Sequence, residues 1–140
     1  MTEFVDSNVL VYSHDSSERD KRELARSLLV RLWEERAGAM SIQVLQEFVV
    51  ATTTKVPSPI DADIAARIIG AYASWTIHRP DAMDVIEAMT IAERNGISFW
   101  DAMIVRSASR LGCQILWSED LNPGQTYEGV EVRNPVVGAS

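Results

Sequence analysis

The sequence predicts an α/β fold built on a small, mostly parallel sheet. Short apolar runs at 4–5, 39–40, 76–78 and 114–117 alternate with longer segments whose apolar residues recur every three or four positions. This is the pattern of strands alternating with amphipathic helices, and it calls for crossover connections between parallel strands. The chain has 140 residues, 46% hydrophobic and 24% charged. That is one domain over 1–140, of ordinary globular composition and long enough to bury a core.

Each element has a local reason. Phe4-Val5, between Glu3 and Asp6, is a buried strand end, and a helix begins directly after it over 7–13. A second helix is expected over 18–37: Leu24, Leu28 and Leu32 recur every four residues beside Ala25, Leu29 and Trp33, Ser17 can cap its start and Gly38 ends it. Ala39-Met40 is a short strand, and Ser41 caps a helix from Ile42 to about Thr54, beyond which Pro57 and Pro59 break the chain. Asp61 caps a helix over 62–75, 76–78 is a strand, and Asp81 caps a helix over 82–95 closed by Gly96. Ser98 caps a helix over 99–111 closed by Gly112, and 114–117 is a buried strand. A turn at 122–124 leads to a weaker last strand over 130–133.

In open parallel sheets ligands bind beyond the carboxyl ends of the strands, so polar residues there are the candidates for chemistry. Four acids stand out because each is embedded in apolar sequence: Asp6 within 4–11, Glu47 within 44–50, Asp101 within 98–104 and Asp120 within 116–121. Each also has a plain structural reading. Asp6 can cap a helix, Asp101 can form a capping box with Ser98, Glu47 can be a solvated helix residue beside Gln43 and Gln46, and Asp120 can be a turn residue. Converging carboxylates repel one another unless protonated or bridged by a cation. An all-oxygen cluster without His or Cys suits a hard ion such as Mg²⁺ or Mn²⁺.

Charge and motifs narrow the field. The formal net charge is -7, which excludes a generic basic nucleic-acid coat; a polyanionic substrate would need a local basic patch or a metal. Arg19, Lys21, Arg22, Arg26, Arg31 and Arg36 fall on the second helix, either as such a patch or as a solvated face. The lone Cys113 reads as a buried small hydrophobe, the acidic start is no secretory signal, and no apolar run is long enough to span a membrane, so the expected location is the cytoplasm. Asn8 stands where a phosphatase of the haloacid type would carry a second Asp, and no lysine follows Lys55 to serve as a receiver-domain lysine. Dinucleotide, P-loop and nucleophile-elbow motifs are missing, and His14 and His78 lack a zinc spacing. Trp33, Trp75, Trp100 and Trp117 read as core or interface packing rather than base-stacking platforms.

The ordered set Phe4-Val-Asp-Ser-Asn-Val-Leu, Leu45-Gln-Glu-Phe, Ser98-Phe-Trp-Asp-Ala and Ile115-Leu-Trp-Ser-Glu-Asp-Leu resembles the PIN-domain ribonucleases, and in pattern the VapC-type toxins of bacterial toxin–antitoxin modules. The resemblance spans nearly the whole chain. It implies a three-layer α/β/α sandwich and an Mg²⁺-dependent endoribonuclease, with Mn²⁺ able to substitute, restrained by a cognate antitoxin. Asp6 and Asp101 match the principal metal-ligand positions, Glu47 and Asp120 the other two acids, Ser118 a small hydroxyl position, and Asn8 the Asn that organises the turn. One departure is the scarcity of lysine, with only Lys21 and Lys55 present. The competing reading is a module of the same fold that binds a partner protein with weak or no catalysis. The resemblance also implies a homodimer, with Leu28, Leu32, Trp33 and Trp75 as the apolar surface for it.

Overall fold

The structure, a computed structural model, describes residues 1–137; the last three residues of the expected domain lie outside it. In chain order the elements are β1 (Glu3–Val5), α1 (Ser7–Ser13), α2 (Arg19–Glu35), β2 (Gly38–Ser41), α3 (Ile42–Val50), a π-helical turn (Ala51–Lys55), α4 (Ala62–Tyr72), β3 (Thr76–His78), α5 (Ala82–Asn95), α6 (Phe99–Arg110), β4 (Ile115–Trp117), β5 (Thr126–Tyr127) and β6 (Val130–Arg133). The strands form one sheet in the order β3-β2-β1-β4-β6-β5. Every pairing is parallel except β5 with β6.

This strand order fixes the layers. The path from β1 to β2 to β3 runs one way across the sheet, and right-handed crossovers carry α1 to α4 to one face. The return from β3 to β4, on the far side of β1, carries α5 and α6 to the other. The packing agrees: α1 lies against α2 and α3, while α5 lies against α6, which covers β2, β4 and β6. The result is the expected α/β/α sandwich. Phe4 sits between Ala39 and Leu116 in the central register, and all three are fully buried. Because β1 connects outward to β2 on one side and β4 flanks it on the other, the crevice at their carboxyl ends is the topological switch point.

A buried ionic hub ties the second helical layer to β3. Asp84 of α5 is only 1% exposed and accepts hydrogen bonds from Arg106 Nε and Arg110 Nη1, both at 2.9 Å. It also faces His78 Nε2 at 3.3 Å, while His78 Nδ1 lies 2.8 Å from the Ser107 hydroxyl. Burial alone would raise the Asp84 pKa, but the Asp81 backbone N–H and the neighbouring guanidiniums outweigh it and hold the carboxyl down at about 2.

Several element ends differ from expectation for identifiable reasons. Ser17 does not cap α2, because its hydroxyl donates to Asp15 (2.6 Å), and Glu18 takes the N-cap position without a side-chain bond. Gly38 does not end that helix either. Arg36 does so in the left-handed conformation (φ 53°), with the Ala37 N–H reaching back to the Leu32 carbonyl (2.9 Å). Gly38 lies in β2, where the Trp75 ring occupies the space a Cβ would need. The helix expected to Thr54 is α-helical only to Val50. There Thr52 and Thr53 donate to the carbonyls of Phe48 and Val49 (2.7 and 2.6 Å), and the last turn widens to a π-helix. Asp61 occupies its N-cap position without a side-chain bond, and α4 stops at Tyr72 rather than 75. The two-residue β5 has no counterpart among the expected strands; positive φ at Glu128 (50°) and Gly129 (80°) makes a tight hairpin that pairs it with β6.

Leu28 and Leu32 are core residues, 8% and 0% exposed, so they do not supply a self-association surface. Trp33 and Trp75 pack with Tyr72 in an aromatic cluster, with ring centroids 5.0 to 5.6 Å apart. Cys113 is buried as expected. No helix among the described residues is long and apolar enough to cross a membrane.

Candidate active site

Asp6 follows β1 directly and caps α1, so its backbone is anchored on both sides. Its N–H donates to the Trp117 carbonyl of β4 (2.9 Å), which places it at the switch point. The residue is 3% exposed. Oδ1 accepts the Ser7 N–H (2.7 Å) and Oδ2 accepts the Ser118 hydroxyl (2.7 Å). Burial pushes the Asp6 carboxyl up to about 7; the Ser118 and Ser7 hydrogen bonds oppose this, and Asp120 and Glu47 add to it through their negative charges.

Ser118 holds the geometry on the β4 side. Its Oγ donates to Asp6 and accepts the Asp120 N–H (3.2 Å) and Asn8 Nδ2 (3.5 Å), which uses its one donor and both acceptor positions. Asn8 Oδ1 accepts the Glu119 N–H (3.2 Å), so Asn8 pins the loop after β4 rather than its own turn. Both residues therefore stand beside the acids, as the sequence pattern suggests.

Glu47 reaches the same place from α3. Its Oε1 accepts the Ser7 hydroxyl (3.0 Å), which also faces Asp6 Oδ1 at 3.5 Å, and its Oε2 accepts Gln43 Nε2 (3.3 Å). Gln43 Nε2 also donates to the Trp100 carbonyl (3.2 Å), joining α3 to the start of α6. Asp101 lies in the first turn of α6, where Ser98 caps its N–H (3.0 Å). Burial raises the Asp101 pKa, the Ser98 bond opposes this, and Asp120 raises it further. The Asp101 carboxyl also gains from the positive end of the helix. Asp120 is exposed and faces both Asp6 and Asp101 electrostatically. The four acids therefore share one electrostatic neighbourhood. Asp6 is its hub, and Asp101 joins through Asp120.

The PIN domain family model matches residues 4–128. The chain belongs to the PIN domain family. No curated protein matches the sequence. Among solved structures, this PIN domain is similar to VapC20 of Mycobacterium tuberculosis, described as a sarcin–ricin loop cleaving toxin, at 20% identity and TM-score 0.67 over 85% of this chain and 92% of that one. It is similar to FitAB bound to a DNA fragment at 19% identity and TM-score 0.70 over 96% and 95% of the two chains. A toxin–antitoxin complex from Klebsiella pneumoniae matches at 17% identity and TM-score 0.66 over 96% and 98%. At these identities the likeness establishes the shared fold.

The donor set of this PIN domain suits a hard divalent ion: carboxylates with no His or Cys among them, centred on a buried acid that a cation would keep ionised. Among the described residues no three Asp, Glu, His or Cys side chains stand close enough to chelate one ion together. A hard ion such as Mg²⁺ characteristically takes one or two carboxylates and keeps several waters, so it needs no three-ligand protein cage.

A cleft of about 650 Å³ has Glu47 and Asp120 in its wall, with Ser7, Tyr12, Lys55 and Trp100; Asp6 and Asp101 do not line it. Sequence reasoning misses four of its features. Ser7 is the hydroxyl that joins Asp6 to Glu47. Tyr12 donates to Glu119 (2.5 Å), and Lys21 bonds both (3.2 and 3.1 Å), building one rim. Lys55 lines the cleft because the π-turn carries it there. Trp100 is not a core residue: it borders the cleft and is 63% exposed. Three of the basic residues of α2 are engaged locally: Lys21 serves the rim, Arg26 binds the Ser13 carbonyl (2.8 Å), and Arg31 pairs with Glu3 (2.9 Å). A second, more apolar groove of about 460 Å³, lined by Leu29, Val30, Trp33 and Tyr72, contains none of the acids.

Proposed function

We propose that this PIN domain is a divalent-metal-dependent endoribonuclease, the toxin of a toxin–antitoxin module, with Asp6, Asp101, Glu47 and Asp120 as its catalytic and metal-binding acids. The observation that carries this is Asp6: buried at the switch point, bonded by two serines, and in the field of Glu47 and Asp120. A folded protein keeps such a costly carboxylate where a cation or proton offsets its desolvation.

In this reading Asp6 and Asp101 would hold the ion, Mg²⁺ or alternatively Mn²⁺, with Asp120 beside them and Glu47 as the fourth acid of the site. Such an ion supplies an activated water nucleophile and neutralises charge on the phosphoryl oxygens. Ser118 orients Asp6 and fixes the Asp120 backbone, so both carboxylates keep their aim. Ser7 holds Glu47 at the cleft wall. Asn8 keeps the 118–120 loop in place.

The toxin reading is supported by the neighbours, one described as a cleaving toxin and another as a toxin–antitoxin complex. A cognate antitoxin is the partner it calls for, and the cytoplasm is where both would act. Self-association would use α5, whose Met83, Ile86 and Met89 lie exposed at a spacing of three; sedimentation equilibrium of wild type and Ile86→Asp tests it. The nuclease itself is tested by incubating purified protein with total RNA in Mn²⁺, Mg²⁺ or EDTA. Cleavage that requires metal and disappears in Asp6→Asn and Asp101→Asn is the expected outcome; metal-independent or absent cleavage by the wild type rejects it.

A further inference from the structure

We propose that Trp100 is a nucleobase platform: a base of the RNA strand beside the cleaved bond stacks on its indole, and Lys55 and Arg79 take flanking phosphates. This rests on the nuclease reading above and adds how a strongly acidic chain grips its substrate.

Trp100 is set apart from the other three tryptophans. Trp33 and Trp75 pack with Tyr72, and Trp117 Nε1 donates to Glu3 (2.8 Å). Trp100 instead leaves 63% of its surface in solvent. Its backbone is nevertheless anchored. Gln43 holds its carbonyl while also bonding Glu47, and the Phe99 ring meets it edge-on at 5.1 Å and 74°. An indole braced by one ring, largely exposed, and one residue before Asp101 offers its face to a flat ligand.

The surroundings identify that ligand. Trp100 borders both the acidic cleft and a neighbouring pocket of about 350 Å³ that includes Arg79 and Pro80. Gln43 and Gln46 line both as well, so one strand can run across the ring from one to the other. Lys55 in the cleft and Arg79 in the second pocket are exposed and make no side-chain ion pair among the described residues, whereas Lys21, Arg31, Arg106 and Arg110 are committed to carboxylates. The cleft beside the ring mixes polar groups, Glu47, Gln46 and Asp120, with the apolar side chains of Val11, Val50 and Ala51, as a site for a base and its backbone requires. Aromatic stacking tolerates any base, and two cations spaced along the path supply backbone attraction.

The test is steady-state cleavage of a short mixed-sequence oligoribonucleotide pool in Mn²⁺ by wild type, Trp100→Ala, Trp100→Phe and Arg79→Ala, each checked for native thermal unfolding. Removing one base–aromatic stack weakens binding roughly 5- to 150-fold. The expected result is therefore a KM raised by that factor in Trp100→Ala with kcat largely kept, partial rescue in Trp100→Phe, and a smaller, salt-sensitive KM increase in Arg79→Ala. An unchanged KM in Trp100→Ala, or equal loss in the Ala and Phe variants, overturns the platform while leaving the nuclease reading intact. Failure of the wild type to cleave RNA overturns the nuclease reading, and the platform with it.

Discussion

Replacing Asp6 by Asn should change the sign of its effect on stability as pH rises. An ordinary aspartate titrates near 3.8, whereas burial and its acidic neighbours place Asp6 at about 7. Between those values the folded state holds a proton that the unfolded chain has released, so wild-type stability falls as pH rises from about 4 to about 7 and the loss is complete above that. At about 1.4 kcal/mol per pH unit of separation, the full loss is on the order of 4 kcal/mol. Asn carries no charge and escapes this loss. It keeps an acceptor for the Ser7 N–H but presents an amide to Ser118, whose two acceptor positions are already taken by Asp120 and Asn8. That mismatch costs about 1 kcal/mol at every pH. In urea titrations with EDTA, Asp6→Asn should thus be about 1 kcal/mol less stable than wild type at about pH 3.5, equal to it between about pH 4 and 5, and roughly 3 kcal/mol more stable at about pH 8. A difference that does not vary with pH would refute the claim that Asp6 is a strained, desolvated acid.

Three other outcomes follow from the same structure. Mg²⁺ or Mn²⁺ should stabilise the wild type by about 2.7 kcal/mol at a hundredfold excess over its dissociation constant, and should leave Asp6→Asn nearly unmoved; equal stabilisation of both in thermal melts would place the ion elsewhere. Asp84→Ala should cost roughly 2–4 kcal/mol because it strands Arg106 and Arg110, less than for a wholly buried pair since Arg110 is half exposed. The Asp84 carboxyl is held at about 2, so this deficit should be full above about pH 4 and shrink as pH falls towards about 2 in chemical denaturation. Gly38→Ala should destabilise by about 1–3 kcal/mol through the collision with Trp75; a wild-type denaturation midpoint would show that the ring moves aside freely.

Much of this fold is legible in the sequence because its signals are local. Asp81 with Asp84 forms a true capping box, Gly96 takes the left-handed position (φ 64°) that closes α5, and Ser98 caps α6. The candidate acids are visible as charges embedded in apolar runs, Asp6, Asp101 and Asp120 at element ends and Glu47 within a helix. What escapes depends on tertiary contact. Gly38 reads as a helix stop, but its reason is the face of Trp75, distant in sequence. Leu28 and Leu32 look like spare apolar surface until α2 is laid on the sheet. Trp100 reads in the sequence like the other tryptophans, and only the fold shows that its ring is 63% exposed. Ser7 and Lys55 gain their places from the neighbouring helix and from a π-turn that no residue spacing announces.

Whether the carboxylates around Asp6 hold a divalent ion is decided by the anomalous scattering of Mn²⁺ soaked into crystals of the wild-type protein. A single strong peak in direct contact with the Asp6 carboxylate is expected, and it should vanish in Asp6→Asn crystals. Saturated crystals with no peak there, or with one that persists in the Asn variant, would contradict a metal site built on this acid.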